Sequence, residues 1–246
     1  MRVLRSIAIL TSCLAVRALA DAQEKPPAPP VLPPPPPLRV FTVEPRIDDL
    51  RGAGWAPDQT PADFLDAIGS RIKARWRQQY RNAPPVPPNE RERCAFVLGS
   101  LLADSFLTLQ ATDAQQFRNT NQDVLAYCRT LGLGEKLTPR LMSQGKLAEM
   151  EDWTGLRQEV VDGHQELCRL LKEQRDEDLS SLVDIGVWVR LLHVVAGILS
   201  ESDEVGLYPL CIGSEALLKD LQGRFALLGA TAKAHERISA MGTLID

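Results

Sequence analysis

The chain has 246 residues, 44% hydrophobic and only 5% aromatic, with a net charge of −4. Such a composition supports a sizeable core built from Leu, Val, Ile and Ala, which suits helix packing better than a β-sandwich. A mildly acidic chain argues against nucleic acid as a partner, since phosphate binding needs a basic face.

The first twenty residues read as an export signal. Arg2 and Arg5 form a charged start, Ser6 to Val16 a short apolar stretch, and Ala18-Leu19-Ala20 a cleavage pattern. The apolar run is too short to span a bilayer. Leu10-Thr11-Ser12-Cys13 also matches a lipoprotein cleavage box, which would put a lipid on Cys13. Arg17 and the A-x-A site that follow favour cleavage after Ala20. That cut removes three arginines and no acid, leaving a charge of −7. The expected location is periplasmic or extracellular.

Residues 21–59 read as a linker and an irregular arm. Nine of the 18 prolines fall in KPPAPPVLPPPPPL, residues 25–38. Proline fixes φ and lacks an N–H, so this tract favours an extended rod of roughly 40 Å, at about 3.1 Å per residue. Its simplest role is a semi-rigid spacer.

Helix signals fill residues 60–246. Thr60-Pro61 caps a first helix over 60–82, with Phe64, Ile68, Ile72, Trp76 and Tyr80 on one face. Its bases, Arg71 to Arg81, follow the acids Asp63 and Asp66, as the helix dipole prefers. The stripe would dock on the core; peripheral membrane contact by residues 64–81 is the alternative.

The core region spans 89–246. Asn89 caps a central helix over 91–110, apolar on more than one face. Thr112 or Asp113 starts a third, stopped by Gly132. Thr138-Pro139 opens a fourth ending near Met150, and Asp152 opens a fifth carrying Trp153, Leu156, Val160, Leu167 and Leu171. The sixth, about 177–200, holds LVDIGVWVRLLHVVAGIL; Asp184, Arg190 and His193 mark it as a core helix and not a membrane span. Gly206 and Pro209 form a turn. Leu217, Leu221, Phe225 and Leu228 give a seventh helix, and Ile238, Met241 and Leu244 a last one. No strand alternation occurs. The expected fold is all-α: an antiparallel bundle of about seven or eight helices behind a signal peptide and a Pro-rich tether.

RERCAFVLGSLLADSFL and RDEDLSSLVDIGVWVRLL resemble stretches of uncharacterised exported all-helical envelope proteins of bacteria. The resemblance covers about residues 90–245. It implies an envelope protein and carries over no activity and no functional residue.

Candidate sites are few. Gly186, Arg190, His193 and Gly197 share one face of the sixth helix, and a groove there could admit an anion or a carboxylate. The plain reading of that face is contact with solvent, or a close helix crossing allowed by glycine. In either case an arginine in so apolar a helix must be paired or reach water, and a carboxylate partner is expected. His164 and Cys168 stand four apart and could reach one metal, but no Glu-x-x-His pattern accompanies them, so neither metal nor cofactor is predicted. No nucleophile elbow, phosphate loop or H-E-x-x-H occurs. Cys94 and Cys128 each lie 17 residues from a hairpin turn near Ala111, which predicts one disulfide between them; Cys168 and Cys211 are expected as separate thiols. The functional expectation is a tethered interaction or structural module of the envelope, not an enzyme, with an unknown envelope protein as partner. The alternative is a small-ligand- or anion-binding bundle using Arg190 and His193.

Overall fold

In a computed structural model, the structure describes residues 59–201 and 215–245. Among them are nine α-helices, one 3-10 turn and no strand. The signal, the Pro-rich tract, the turn at Gly206 and Pro209, Cys13 and Cys211 lie outside the described residues.

α1, Pro61–Gly69, opens on a capping box: the Thr60 side chain accepts from the Asp63 amide, and the Asp63 carboxylate accepts from the Thr60 amide. The continuous helix expected over 60–82 does not form; α1 ends at Gly69 and is followed by a 3-10 turn, Trp76–Gln79. Gly69 and Ser70 are weak helix formers, and the Ser70 hydroxyl bonds back to the Ala67 carbonyl at 2.9 Å. A longer helix would also stack Arg71 on Arg75, Lys73 on Arg77 and Arg77 on Arg81 at i, i+4, all like charges. Spread along an irregular strap, two of those bases reach acids of other elements, Arg77 to Asp113 and Arg81 to Asp104. The apolar side chains still face inward: Phe64, Ile68 and Ile72 are buried, and Trp76 and Tyr80 pack on the core.

Five long helices follow: α2 Arg91–Gln110, α3 Ala114–Thr130, α4 Gly134–Glu149, α5 Trp153–Glu173 and α6 Glu177–Ser200. Their caps match the sequence at Asp113 and Asp152, whose side chains accept from Gln116 and Gly155 amides. α2 begins after Glu90 without a side-chain cap, one residue past the expected Asn89. α4 begins at Gly134, ahead of Thr138-Pro139, so Pro139 lies inside the helix.

The four joints between these helices share one geometry. Each is three residues long, and its middle residue has positive φ: Thr112 (48°), Gly132 (77°), Glu151 (54°) and Arg175 (62°). In each, the next amide returns to a carbonyl five residues back: Asp113 to Thr108, Leu133 to Cys128, Asp152 to Leu147 and Asp176 to Leu171. This is the Schellman closure, which satisfies orphan carbonyls at each helix end.

α2 and α6 form the centre. Arg91 pairs with Asp176 and Asp104 with Arg190, separations of 85 and 86 residues. A constant offset means that the two helices run side by side in the same direction, as four reversals between them require. A Cβ on Gly99 would fall on the Val183 carbonyl, and one on Gly186 on the Phe96 carbonyl. The helices therefore touch backbone to backbone. By length and composition α6 could cross a membrane, but 67% of its most apolar stretch is buried in the protein. α7, Glu215–Leu227, packs on α6, and α8, Ala230–Ala234, and α9, Glu236–Ile245, end the chain.

Candidate functional site

The first polar cluster lies where the strap crosses α2 and α6. Arg190 is 4% exposed, and its Nε donates to Asp104 Oδ1 at 2.7 Å. Its Nη2 donates to the Gln79 carbonyl at 2.6 Å. The other Asp104 oxygen accepts from Arg81 Nε at 2.9 Å. Arg190 thus has the carboxylate partner that its burial demands. Burial lowers its pKa, and the Asp104 charge opposes that shift.

The other members of the α6 face are not gathered with it. His193 is exposed, its pKa lowered by partial burial and by the charges of Arg190 and Arg81. Gly186 serves the α2 crossing and Gly197 lies under Gln79. A cavity of about 280 Å³ opens nearby, but Tyr80, Arg81, Asp104, Asn119 and Asp123 line it, and neither Arg190 nor His193 does.

Cys94 and Cys128 are free, buried thiols, so the expected bridge is not formed here. The hairpin register behind the expectation is present: Cys94 Sγ approaches the carbonyl of Tyr127, next to Cys128, at 3.9 Å. Burial pushes the Cys94 thiol up to about 11 and the Cys128 thiol up to about 12.

The second cluster joins α5, α6 and α7. His164 and Cys168 lie one turn apart on α5, and both meet Asp184 of α6. His164 Nε2 stands 3.0 Å from Asp184 Oδ1, and Cys168 Sγ donates to the same oxygen at 3.6 Å. The His164 contact is a close charge approach and not an aligned hydrogen bond, since Nε2 is buried without a hydrogen-bond partner. Asp184 Oδ2 accepts from Arg224 Nη1 at 2.8 Å, and Arg224 Nε donates to Asp220 at 2.7 Å. Burial alone would depress the His164 pKa, but Asp184 and Cys168 outweigh it and raise the imidazole to about 10.

Asp104 is absent from the sequence reading, and Asp184 enters it only as a sign against a membrane span. Each is the one acid in an apolar stretch, LLADSFL and SLVDIGV, and that local isolation is the available signal: such a carboxylate needs a partner. Comparison with protein-family models, curated proteins and solved structures finds no match.

Proposed function

We propose that the protein is an exported, tethered module of the bacterial cell envelope that works by contact with another envelope protein. In this reading residues 1–20 are a signal peptide, 21–59 a Pro-rich tether and 60–246 an antiparallel helical bundle. The repeated three-residue joints support the bundle, since they fold each long helix back on its predecessor.

The observation that carries the reading is how the tether's point of entry is fastened. A domain held at its N-terminal side transmits any pull through residues 60–85. Asp63 and Asp66 both pair with Arg157 at 2.8 Å, and the Phe64 ring meets Trp188 edge-on at 5.6 Å. The strap is tied again by Arg77–Asp113, by Arg81–Asp104 and by Arg190 on the Gln79 carbonyl. Single exposed ion pairs contribute little, but a network anchored on the buried Asp104–Arg190 pair holds its geometry. The ligand-binding alternative has less support, because two donors of Arg190 are committed within the fold and His193 is exposed.

Expression of the full chain in a bacterial host, with fractionation and intact mass, tests the reading. The expected product starts at Asp21 and lies outside the cytoplasm; a lipidated Cys13 would replace the cleavage site but keep the export. Site-specific photo-crosslinking should then give one envelope partner, lost when residues 25–38 are deleted and the domain stays folded. A cytoplasmic chain retaining Met1 overturns the proposal.

A further inference from the structure

The geometry points to a binding site for a borderline divalent transition ion, zinc in type, formed by His164, Cys168 and Asp184. The three donor atoms, Nε2, Sγ and a carboxylate oxygen, lie within 4.8 Å of one another. Tetrahedral zinc with bonds of about 2.0 Å to N and O and about 2.3 Å to S places its ligand atoms roughly 3.3 Å (N to O) and 3.5 Å (O to S) apart. The structure has 3.0 Å and 3.6 Å for these two edges. Those two edges differ from the tetrahedron by a few tenths of an ångström; the third, Nε2 to Sγ, is within 4.8 Å and must close to roughly 3.5 Å to seat the ion.

Two further observations favour it. The first is the poorly satisfied nitrogen: His164 Nε2 is buried 3.0 Å from Asp184 Oδ1 but makes no aligned hydrogen bond. Buried polar atoms are nearly always satisfied, and a metal bond would satisfy this one. The second is the outer shell. Arg224 holds Asp184 by Oδ2, leaving Oδ1 toward the imidazole and the thiol, and Asp220 holds Arg224 in turn. Such supports orient metal-ligating carboxylates. The charges also balance: a dication with one thiolate and one carboxylate is neutral, and so is the Arg224–Asp220 pair.

A Cys-His-Asp relay does not fit the same residues. A relay needs the imidazole between thiol and carboxylate, one nitrogen to each. Here thiol and Nε2 converge on a single oxygen. Convergence on one point suits ligation, and the mixed S, N, O donor set selects zinc-like ions over Mg²⁺ or Ca²⁺, which take oxygen. On binding, the thiol S–H bond breaks, the proton leaves to solvent, and sulfur donates its electron pair to the ion. The imidazolium likewise loses its Nε2 proton to solvent and binds neutral, so two protons are released for each ion bound. Three protein ligands leave the fourth position to water.

The test uses the mature chain, residues 21–246, reduced and stripped with a chelator. Cobalt(II) is titrated as a spectroscopic stand-in for zinc. The expected result is one ion per chain, a thiolate-to-cobalt charge-transfer band, and visible bands of tetrahedral intensity that zinc bleaches. Cys168→Ser should abolish the charge-transfer band, while Cys94→Ser and Cys211→Ser keep it. Arg224→Gln should weaken zinc about tenfold by freeing Asp184. Circular dichroism checks the fold of each variant. Absence of a thiolate band in the folded wild-type chain overturns the site, as does a band that survives Cys168→Ser.

Discussion

Removing Asp104 should destabilise the protein far more than removing its partner Arg190. Asp104 is 8% exposed and serves two arginines, Arg190 at 2.7 Å and Arg81 at 2.9 Å. In Asp104→Asn, Arg190 stays charged and buried without a counter-ion. That situation costs about 3–5 kcal/mol. In Arg190→Met, Asp104 keeps Arg81, and the principal loss is the bond to the Gln79 carbonyl, about 1–2 kcal/mol. The double variant Asp104→Leu/Arg190→Met leaves only Arg81, whose side chain is 43% exposed and can turn to water. It should recover to within about 2 kcal/mol of the parent, since an apolar pair can replace a buried ion pair. Urea unfolding followed by circular dichroism gives the free energies, and the cycle gives the coupling. In melting temperature the Asp104→Asn loss is roughly 6–20 °C, at about 2–4 °C per kcal/mol for this size. An Arg190→Met cost equal to or above that of Asp104→Asn would refute the argument, as would a coupling near zero.

Other outcomes follow from the same structure. Gly99→Ala and Gly186→Ala should each cost about 1–3 kcal/mol or more by forcing α2 from α6, whereas Gly223→Ala, with open space around it, should gain up to about 1 kcal/mol; thermal melts compare the three. Thr112→Gly should raise stability by about 1 kcal/mol in urea unfolding, because a β-branched residue at φ 48° is strained. Thr60→Ala should cost about 1 kcal/mol through the lost cap. The Thr60 hydroxyl is the main cause holding the Asp63 pKa below 3.8, so this contribution is present above that pH and lost as pH falls through the lower folded value. Melts of parent and variant should therefore converge in acid. Alkylation of the folded, non-reduced protein at pH 8 should leave Cys94 and Cys128 slow to react, and peptide mapping after unfolding should find both as free thiols.

What the sequence reveals here depends on whether a feature is local. α2 and α6 are legible almost to the residue, because helices apolar all round must be central. The run Phe64, Ile68, Ile72, Trp76, Tyr80 misleads for the opposite reason. Its period of four describes side chains that all face the core, and a short helix followed by a 3-10 turn buries them as well as a long helix would. Left-handed joints are visible only at Gly132; at Thr112, Glu151 and Arg175 the closure of the turn overrides residue preference. The polar clusters are legible by half. Burial requires a partner for Arg190, and helical spacing brings His164 and Cys168 onto one face. Which acid completes each set is a long-range matter. The constant offset between α2 and α6 settles the first case: Gly99 and Gly186 set the contact, and Asp104 and Arg190, five and four residues further along, come level about one to one and a half turns away. The packing of α6 on α5 settles the second, delivering Asp184 to the turn that carries His164 and Cys168. A pair of glycines with no chemistry of their own thus decides which charges meet, and disturbing Gly99 or Gly186 should disturb the Asp104 pair with them.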